Sequence, residues 1–396
     1  MKRVEYNENH TPAYVFDLDR LKERVAAIRA GITREHTKIC FAVKANPFLV
    51  ETLKGHVDAF AICSPGEFHV CEQGNIPMED VVVSGVFKAA LDVARFIGEH
   101  EGKCVFTAES VGQLQTLDFC ARMQKKRIRA ILRLTSGNQF GMSEEELKEC
   151  ISQREQYENL DIQGIQFYSG PQKQGWGQIE EELGMLDDFC QALKREYGFE
   201  AELLEYGPGL SVPYFEKDEE EDLEQTMKKL DGLLLNLRFP GTALLEMGRF
   251  LTAYCGSYYT SVVDVKSHGG QNYCIVDGGI HHLNYYGQDM GEPIPHCTHL
   301  PQSLGGDREE TLWNVCGCLC TASDALVRQM PMLNPTPGDL LIFERVGAYS
   351  VTDGRSLFGS QDLPEVYFFS QEMGMEPVRE REGTCKLNMR AGEEDA

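Results

Sequence analysis

Three short phrases in the sequence place reactive side chains where chemistry could use them. FAVKANP (41–47) sets Lys44 among Ala42, Val43 and Ala45. An ammonium in such apolar company is desolvated, which lowers its pKa and suits an amine that forms a Schiff base. The same phrase also fits a lysine whose head snorkels to a rim. EYGPGLSVPYF (205–215) supplies Gly207 and Gly209, whose backbone N–H groups can approach a ligand as closely as a phosphate requires; a Gly-Pro-Gly turn is common in its own right. EMGR (246–249) sets Glu246 and Arg249 either side of Met247 and Gly248. There the arginine can hold a phosphate and the carboxylate a protonated ring nitrogen, or the two can form a structural pair. Together the phrases offer a Schiff-base amine, a phosphate seat and a pyridinium partner, the requirements of pyridoxal 5'-phosphate (PLP).

Each phrase ends a β-rich run. Eight such runs recur: 38–45, 59–63, 81–85, 103–108, 129–134, 162–168, 203–207 and 243–248. Most are continuously apolar, as strands buried on both faces are, and helical-period segments such as ALDVARFIGEH and SEEELKECISQ separate them. Eight alternations predict a (β/α)8 barrel, with LDRLKERVAAIRAGI as an opening helix. In that fold chemistry gathers at the C-terminal strand ends, where the sequence places Lys44, Ser64, Gly85, Arg133, Tyr168, Gly207 and Glu246. After Arg249 short strands broken by Gly, Pro and Asn take over, predicting a second, mostly β domain. The expected division is a PLP-binding barrel over 12–250, a β domain over 251–370 joined by 1–11, and a loose tail over 371–396.

At 396 residues, two domains are expected. A formal charge of −24 argues against nucleic acid or an anionic membrane as partner. No apolar run is long enough to span a bilayer, and MKRVEYNENHTPAY has no apolar h-region. Fourteen cysteines without an export signal read as reduced thiols, so the cytoplasm is the expected compartment. Cys316, Cys318 and Cys320 form a C-x-C-x-C run and His281 and His282 are adjacent, yet the spacing differs from C-x2-C zinc patterns and no metal is expected. Trp176 and Trp313 read as packing residues.

From about Thr11 to Val366 the chain resembles the fold-type III PLP decarboxylases, which include diaminopimelate and ornithine decarboxylases. FAVKANP matches their lysine motif, SPGE (64–67) a loop motif, QFGM (139–142) a Phe-Gly motif, GPG (207–209) the phosphate loop and EMGR the Glu-x-Gly-Arg. GCLCTASD (317–324) is similar to the segment holding a catalytic cysteine, here Cys320, and GAYS (347–350) to one whose tyrosine, here Tyr349, contacts cofactor and substrate. The resemblance implies a barrel of the alanine-racemase type in which Lys44 carries PLP, with Tyr168, Gly207, Gly209, Glu246, Gly248, Arg249 and Tyr349 around it. It also implies a homodimer in which Cys320 reaches into the neighbouring barrel and returns a proton to Cα after CO2 leaves. Glu246 favours decarboxylation over racemisation, because an anion beside the ring nitrogen keeps the ring an electron sink. An amino-acid racemase and a non-catalytic PLP-binding homologue are the other readings of this scaffold.

Some positions depart from the family. Tyr168 stands where a histidine usually stacks on the ring, and Pro171 where a serine offers a hydroxyl. Thr321 replaces the acidic residue that grips a distal ammonium, and VDGGIHHLNYYGQDMGEP lacks the arginine of diaminopimelate decarboxylases. With VPYF (212–215), DGGIHH (277–282) and Leu-Cys-Thr (319–321), these features resemble the branch that acts on glutamate tethered to an acyl carrier protein in butirosin biosynthesis. The expected substrate is an amino acid, free or carrier-tethered, contacted by Thr321, His282 and Tyr349; a free diamino acid is the alternative. Carrier proteins are acidic, and the densest basic run here, KKRIR (125–129), enters its strand from the barrel's far side.

Overall fold

The computed structural model describes residues 10–285, 293–302 and 309–390. The chain divides into two compact units, Arg24–Val212 with Glu221–Leu251, and Met1–Glu23 with Pro213–Glu220 and Thr252–Ala396. The first strand, β1 (Ala13–Asp17), leads into α1 (Leu18–Ala30). The strands β2 (Thr37–Ala42), β3 (Ala59–Ile62), β4 (Val81–Val83), β5 (Val105–Ala108), β6 (Ile128–Leu134), β7 (Leu160–Tyr168), β8 (Leu203–Gly207) and β9 (Thr242–Met247) form a closed barrel. All neighbours are parallel, and β9 pairs back onto β2. The eight apolar runs of the sequence are these eight strands.

Side-chain alternation decides what fills the barrel. Cys40, Ala59, Ala61, Val82, Val105, Ile131 and Leu244 make one buried cluster. Two residues further along the same faces come Arg133 on β6 and Glu246 on β9. The register sets Arg133 opposite Gln166, Gln166 opposite Glu205, and Cys40 opposite Glu246. Apolar packing therefore gives way to polar groups toward the C-terminal strand ends.

Helices α2 (Val50–Leu53), α3 (Pro65–Gln73), α4 (Ala90–Glu99), α5 (Val111–Met123), α6 (Glu144–Ser152), α7 (Trp176–Tyr197) and α8 (Leu223–Leu235) lie between the strands, and the short α9 (Arg249–Thr252) follows β9. Their starts are written locally. In SPGE, Ser64 accepts from Glu67 N–H while the Glu67 carboxylate accepts from Cys63 N–H, and Pro65 needs no partner in the first turn. Ser143 and Glu146 form a reciprocal capping box on α6, and Asp222 caps α8. Losing one such cap typically costs about 1 kcal/mol.

The second unit is a mixed nine-stranded sheet. It adds β10 (Gly256–His268), β11 (Gln271–Val276), β12 (Cys297–Leu300), β13 (Glu310–Cys316), β14 (Ala325–Leu333), β15 (Leu340–Glu344), β16 (Glu365–Ser370) and β17 (Gly374–Arg379) to β1. Strand β1 lies antiparallel to β10 and parallel to β16, with its Val15 packed beside Tyr259, Leu340 and Ile342. This corrects the expected boundary at residue 12. AYVFD reads as a buried strand, but only partners hundreds of residues away decide which sheet takes it. The expected tail over 371–396 also starts too early, because β17 pairs with β16. Pro377 and exposed side chains suit an edge strand and hide the alternation. Arg381 then donates to Thr11 O at 2.6 Å and Thr384 to Gln361 O at 2.7 Å. All fourteen cysteines are free thiols. Among the described residues no helix is long and apolar enough to cross a membrane.

Candidate active site

Strand β2 breaks into a single 3-10 turn over Val43–Ala45. Val43, Ala45 and Asn46 are buried, so the turn leaves Lys44 alone to project. Its Nζ lies 3.7 Å from Glu246 Oε1 and 6.0 Å from the centre of the Tyr168 ring. A Cβ on Gly248 would come 2.7 Å from that of Ala45, so the glycine of EMGR lets the ends of β9 and β2 approach. Arg249 follows at once, buried at the start of α9. On the β8 side Tyr168 lies against Gly207, and Gly209 has φ +63° with Gly170 O where its Cβ would be. No side chain but hydrogen fits there.

Arg133, expected at a strand end, and Glu109, Glu205 and Lys88, not singled out in the sequence, complete this end of the barrel. Arg133 Nη1 meets Glu109 Oε1 at 2.7 Å with both groups buried, and its guanidinium stacks on Phe140 at 4.6 Å. Glu109 also accepts from Gly141 N–H at 3.2 Å, and Met142 N–H donates to Arg133 O at 2.8 Å. QFGM thus folds back on β6 and fixes the arginine. Glu205 is fully buried and, among the described residues, neither of its carboxylate oxygens has a hydrogen-bond partner. Burial first, and repulsion by Glu246 second, push its pKa well above the carboxylate range, against the pull of Arg133, Lys44 and Lys88. Lys88 donates to Gly85 O and Gln113 Oε1. Burial pulls its pKa down to about 8, opposed mainly by Glu109. Glu205 carried one signal in the sequence: a lone carboxylate inside the apolar run LLEYG.

In the sheet unit the segment Gly317–Asp324 joins β13 to β14. Asp324 is buried and accepts from Ile280 N–H at 2.8 Å and Leu319 N–H at 2.7 Å. Cβ atoms on Gly279 or Gly317 would strike that carboxylate, so DGGIHH and GCLCTASD are tied through one aspartate. The segment leaves Cys320 exposed, with the Thr321 hydroxyl 3.0 Å from that of Ser323. Tyr349 sits at φ +66°, a costly conformation for a bulky residue and one that clusters at functional sites.

His282 does not fit a substrate contact. It is 4 % exposed, with Nδ1 3.1 Å from Tyr258 Oη and Nε2 2.8 Å from Asp362 O, while Tyr14 donates to its carbonyl. Burial, with His281 beside it, lowers its pKa to about 3. The adjacent histidines read in sequence as active-site rim or domain-junction residues, and the fold buries both; His281 Nε2 lies 3.9 Å from Cys318 Sγ. The three cysteines do not converge. Among the described residues, the one His/Cys/Asp/Glu group at metal-ligand spacing is Glu72, Glu99 and His100, and Arg95 pairs with both glutamates.

Lys44, Tyr168, Gly207, Gly209, Glu246, Gly248 and Arg249 thus share one end of the barrel unit, while Cys320, Thr321 and Tyr349 lie on loops of the sheet unit. The barrel set fits PLP: an amine beside a carboxylate, and a glycine turn closed to any Cβ. The family described as "Pyridoxal-dependent decarboxylase, pyridoxal binding domain" matches residues 18–253. The L-glutamyl-[BtrI acyl-carrier protein] decarboxylase of Niallia circulans is 25% identical over 409 residues, covering 97% of this chain and 92% of its own. The diaminopimelate decarboxylase of Aquifex aeolicus is 27% identical over 359 residues, covering 86% and 82%. Diaminopimelate decarboxylase from M. jannaschii, solved with L-lysine, superposes with a TM-score of 0.84 over 98% of this chain and 93% of that one, at 21% identity. With the family matched over the barrel and the fold shared along the chain, the protein belongs to the pyridoxal-dependent decarboxylases and is a PLP-dependent amino-acid decarboxylase.

Proposed function

We propose that the substrate is an α-amino acid whose distal end carries no ammonium, a glutamyl thioester on an acyl carrier protein being the best fit. The observation that carries this reading is the orientation of Asp324. It is the one carboxylate of the segment Gly317–Asp324, and both its oxygens are spent on backbone N–H groups of Ile280 and Leu319. A distal ammonium at Thr321 would meet only a hydroxyl dipole, and an unpaired charge in a site typically costs a few kcal/mol. The Niallia circulans relative, a decarboxylase of a carrier-bound glutamyl group, aligns over nearly the whole chain and supports the same choice. Arg127 and Arg129 lie at the strand starts, paired with Asp161 and with the carbonyls of Glu79 and Lys103, so a carrier would need another docking face.

In this reading Lys44 Nζ would hold the cofactor aldehyde, Glu246 would partner the ring nitrogen, Tyr168 would line the ring, and Gly207, Gly209 and Arg249 would seat the phosphate. PLP, when bound, supplies the electron sink for the breaking Cα–carboxylate bond. The Arg133–Glu109 pair fixes charge at the mouth, and neutral Glu205 leaves Glu246 as the carboxylate that partners Lys44. Cys320 of the partner subunit returns the proton to Cα in a homodimer with shared sites, and Tyr349 lines the substrate. The test is CO2 release and product mass from a panel of free and carrier-tethered amino acids. Thr321→Glu should raise turnover of ornithine, lysine or diaminopimelate by about tenfold or more while lowering that of the glutamyl thioester. If the unaltered protein already prefers one of those diamino acids, the substrate reading is wrong.

A further inference from the structure

Behind the glycine turn lies a second buried charge cluster that faces no reacting atom. Lys173 Nζ, in a side chain 2 % exposed, meets Glu182 Oε2 at 2.5 Å. The same carboxylate accepts from Tyr206 Oη at 2.7 Å, Ser169 Oγ at 2.6 Å and Gln178 Nε2 at 3.0 Å. Burial works to raise the Glu182 pKa, and the donors Lys173, Ser169 and Tyr206 outweigh it and hold it below the usual range. Lys173 also reaches Gly207 O at 3.4 Å, and its backbone N–H donates to Gly209 O at 3.0 Å. One residue earlier, the Gln172 amide donates to Val212 O at 2.9 Å and accepts from Val212 N–H at 2.7 Å. Gln172 holds φ +54° to do so. The loop after β7 and the loop after β8 are therefore fastened to each other by the Gln172 side chain and a backbone bond, and the Lys173–Glu182 pair, formed between the first loop and α7, reaches across through Gly207 O and the Tyr206 hydroxyl.

A buried ion pair is weak evidence for stability, since apolar residues of similar volume would fill the same space as well or better. What it adds is direction, because every donor and acceptor has one geometry that satisfies it. That direction is spent on the two loops flanking Gly207–Gly209. There Pro171 stands where the family resemblance places a hydroxyl, so this end has one fewer side-chain donor. We infer that Lys173 and Glu182 are positioning residues for the phosphate seat. Their ion pair, clamped by Tyr206 and Ser169, sets the loop spacing at which the backbone N–H groups of the glycine turn face a phosphate. The inference rests on reading Gly207–Gly209 as that seat.

The experiment compares PLP with pyridoxal, which has the aldehyde and ring but no phosphate. Holoenzyme variants are resolved of cofactor, and rebinding of each compound is followed by absorbance and by Trp176 fluorescence. Lys173→Met/Glu182→Gln removes both charges together, and Gln172→Ala loosens the same junction with no change of charge. PLP affinity should fall about tenfold or more in the double variant and about threefold in Gln172→Ala, with pyridoxal affinity within twofold of the unaltered protein. Equal losses for both compounds would mean a general packing role and overturn the inference, as would no loss for either. Should the double variant not fold, Gln172→Ala decides by the same criterion. Gly209→Ala separates the two readings. If it leaves the PLP-to-pyridoxal ratio unchanged, the seat lies elsewhere and both fail. If it collapses the ratio while the Lys173, Glu182 and Gln172 variants keep it, only the positioning role fails.

Discussion

Glu205 buries a carboxyl group in the barrel with, among the described residues, no hydrogen-bond partner on either oxygen, and burial and the nearby Glu246 hold its pKa well above the ordinary carboxylate value. In the unfolded chain the same group ionises near 4.5. Between those two values the native state carries a proton that the unfolded state has lost. Native stability is therefore full below about pH 4.5 and declines as pH rises toward the folded pKa. The slope is about 1.4 kcal/mol for each pH unit in that window. Glu205→Gln keeps the shape and supplies a neutral group at every pH, so it should stabilise the barrel increasingly above pH 5. Each unit contains one tryptophan, Trp176 on α7 in the barrel and Trp313 on β13 in the sheet. A Trp313→Phe background thus lets fluorescence report the barrel alone. Urea unfolding from pH 5 to 8 should show the Glu205 protein losing stability relative to Glu205→Gln across the range. Parallel curves, or a glutamine variant less stable throughout, would refute the reasoning, because either implies an ionised Glu205 with a partner.

Borohydride reduction of the purified protein should fix a pyridoxyl group on Lys44, readable by peptide mass, and Lys44→Ala should abolish the adduct; the same adduct on another residue displaces Lys44. Mixing inactive Lys44→Ala and Cys320→Ala proteins should restore activity, up to about a quarter of the unaltered level if subunits exchange at random and each heterodimer carries one intact site. Proven exchange with no recovery contradicts the shared site. His282→Ala should cost about 2–4 kcal/mol of sheet-unit stability, since it strands the Tyr258 hydroxyl and the Asp362 carbonyl, while leaving KM near its starting value. A tenfold rise in KM at unchanged stability would return His282 to the substrate.

The barrel was legible because its strands are buried on both faces and so read as unbroken apolar runs, each closed by a residue that alternation turns toward the interior or the mouth. The caps were equally local, as in Ser64 with Glu67 and Ser143 with Glu146. What stayed hidden depends on pairing across the chain. AYVFD carries no mark of whether it joins β2 or β10, and β17 is an exposed edge with Pro377 in it. The same holds in the site. Lys44 and Glu246 stand in phrases with a chemical meaning of their own, whereas Glu205 matters only because register sets it beside Gln166 and Arg133. Lys173 carries no mark of its role in its own phrase, because its partner Glu182 lies nearly two turns into α7.

The place of β1 in the sheet has a consequence for the chain as it leaves the ribosome. Ala13 pairs with Tyr259 on one side and Glu365 on the other, so this early-made apolar strand must wait for both neighbours. The barrel, complete by Leu251, can close in the meantime, but the sheet cannot. At about 5–20 residues per second the wait for β16 lasts on the order of tens of seconds. Until β10 is made AYVFD offers two open edges, and until β16 is made one, to any nascent or misfolded chain nearby. Translation speed and chaperone supply will therefore govern the yield of the sheet unit more than that of the barrel.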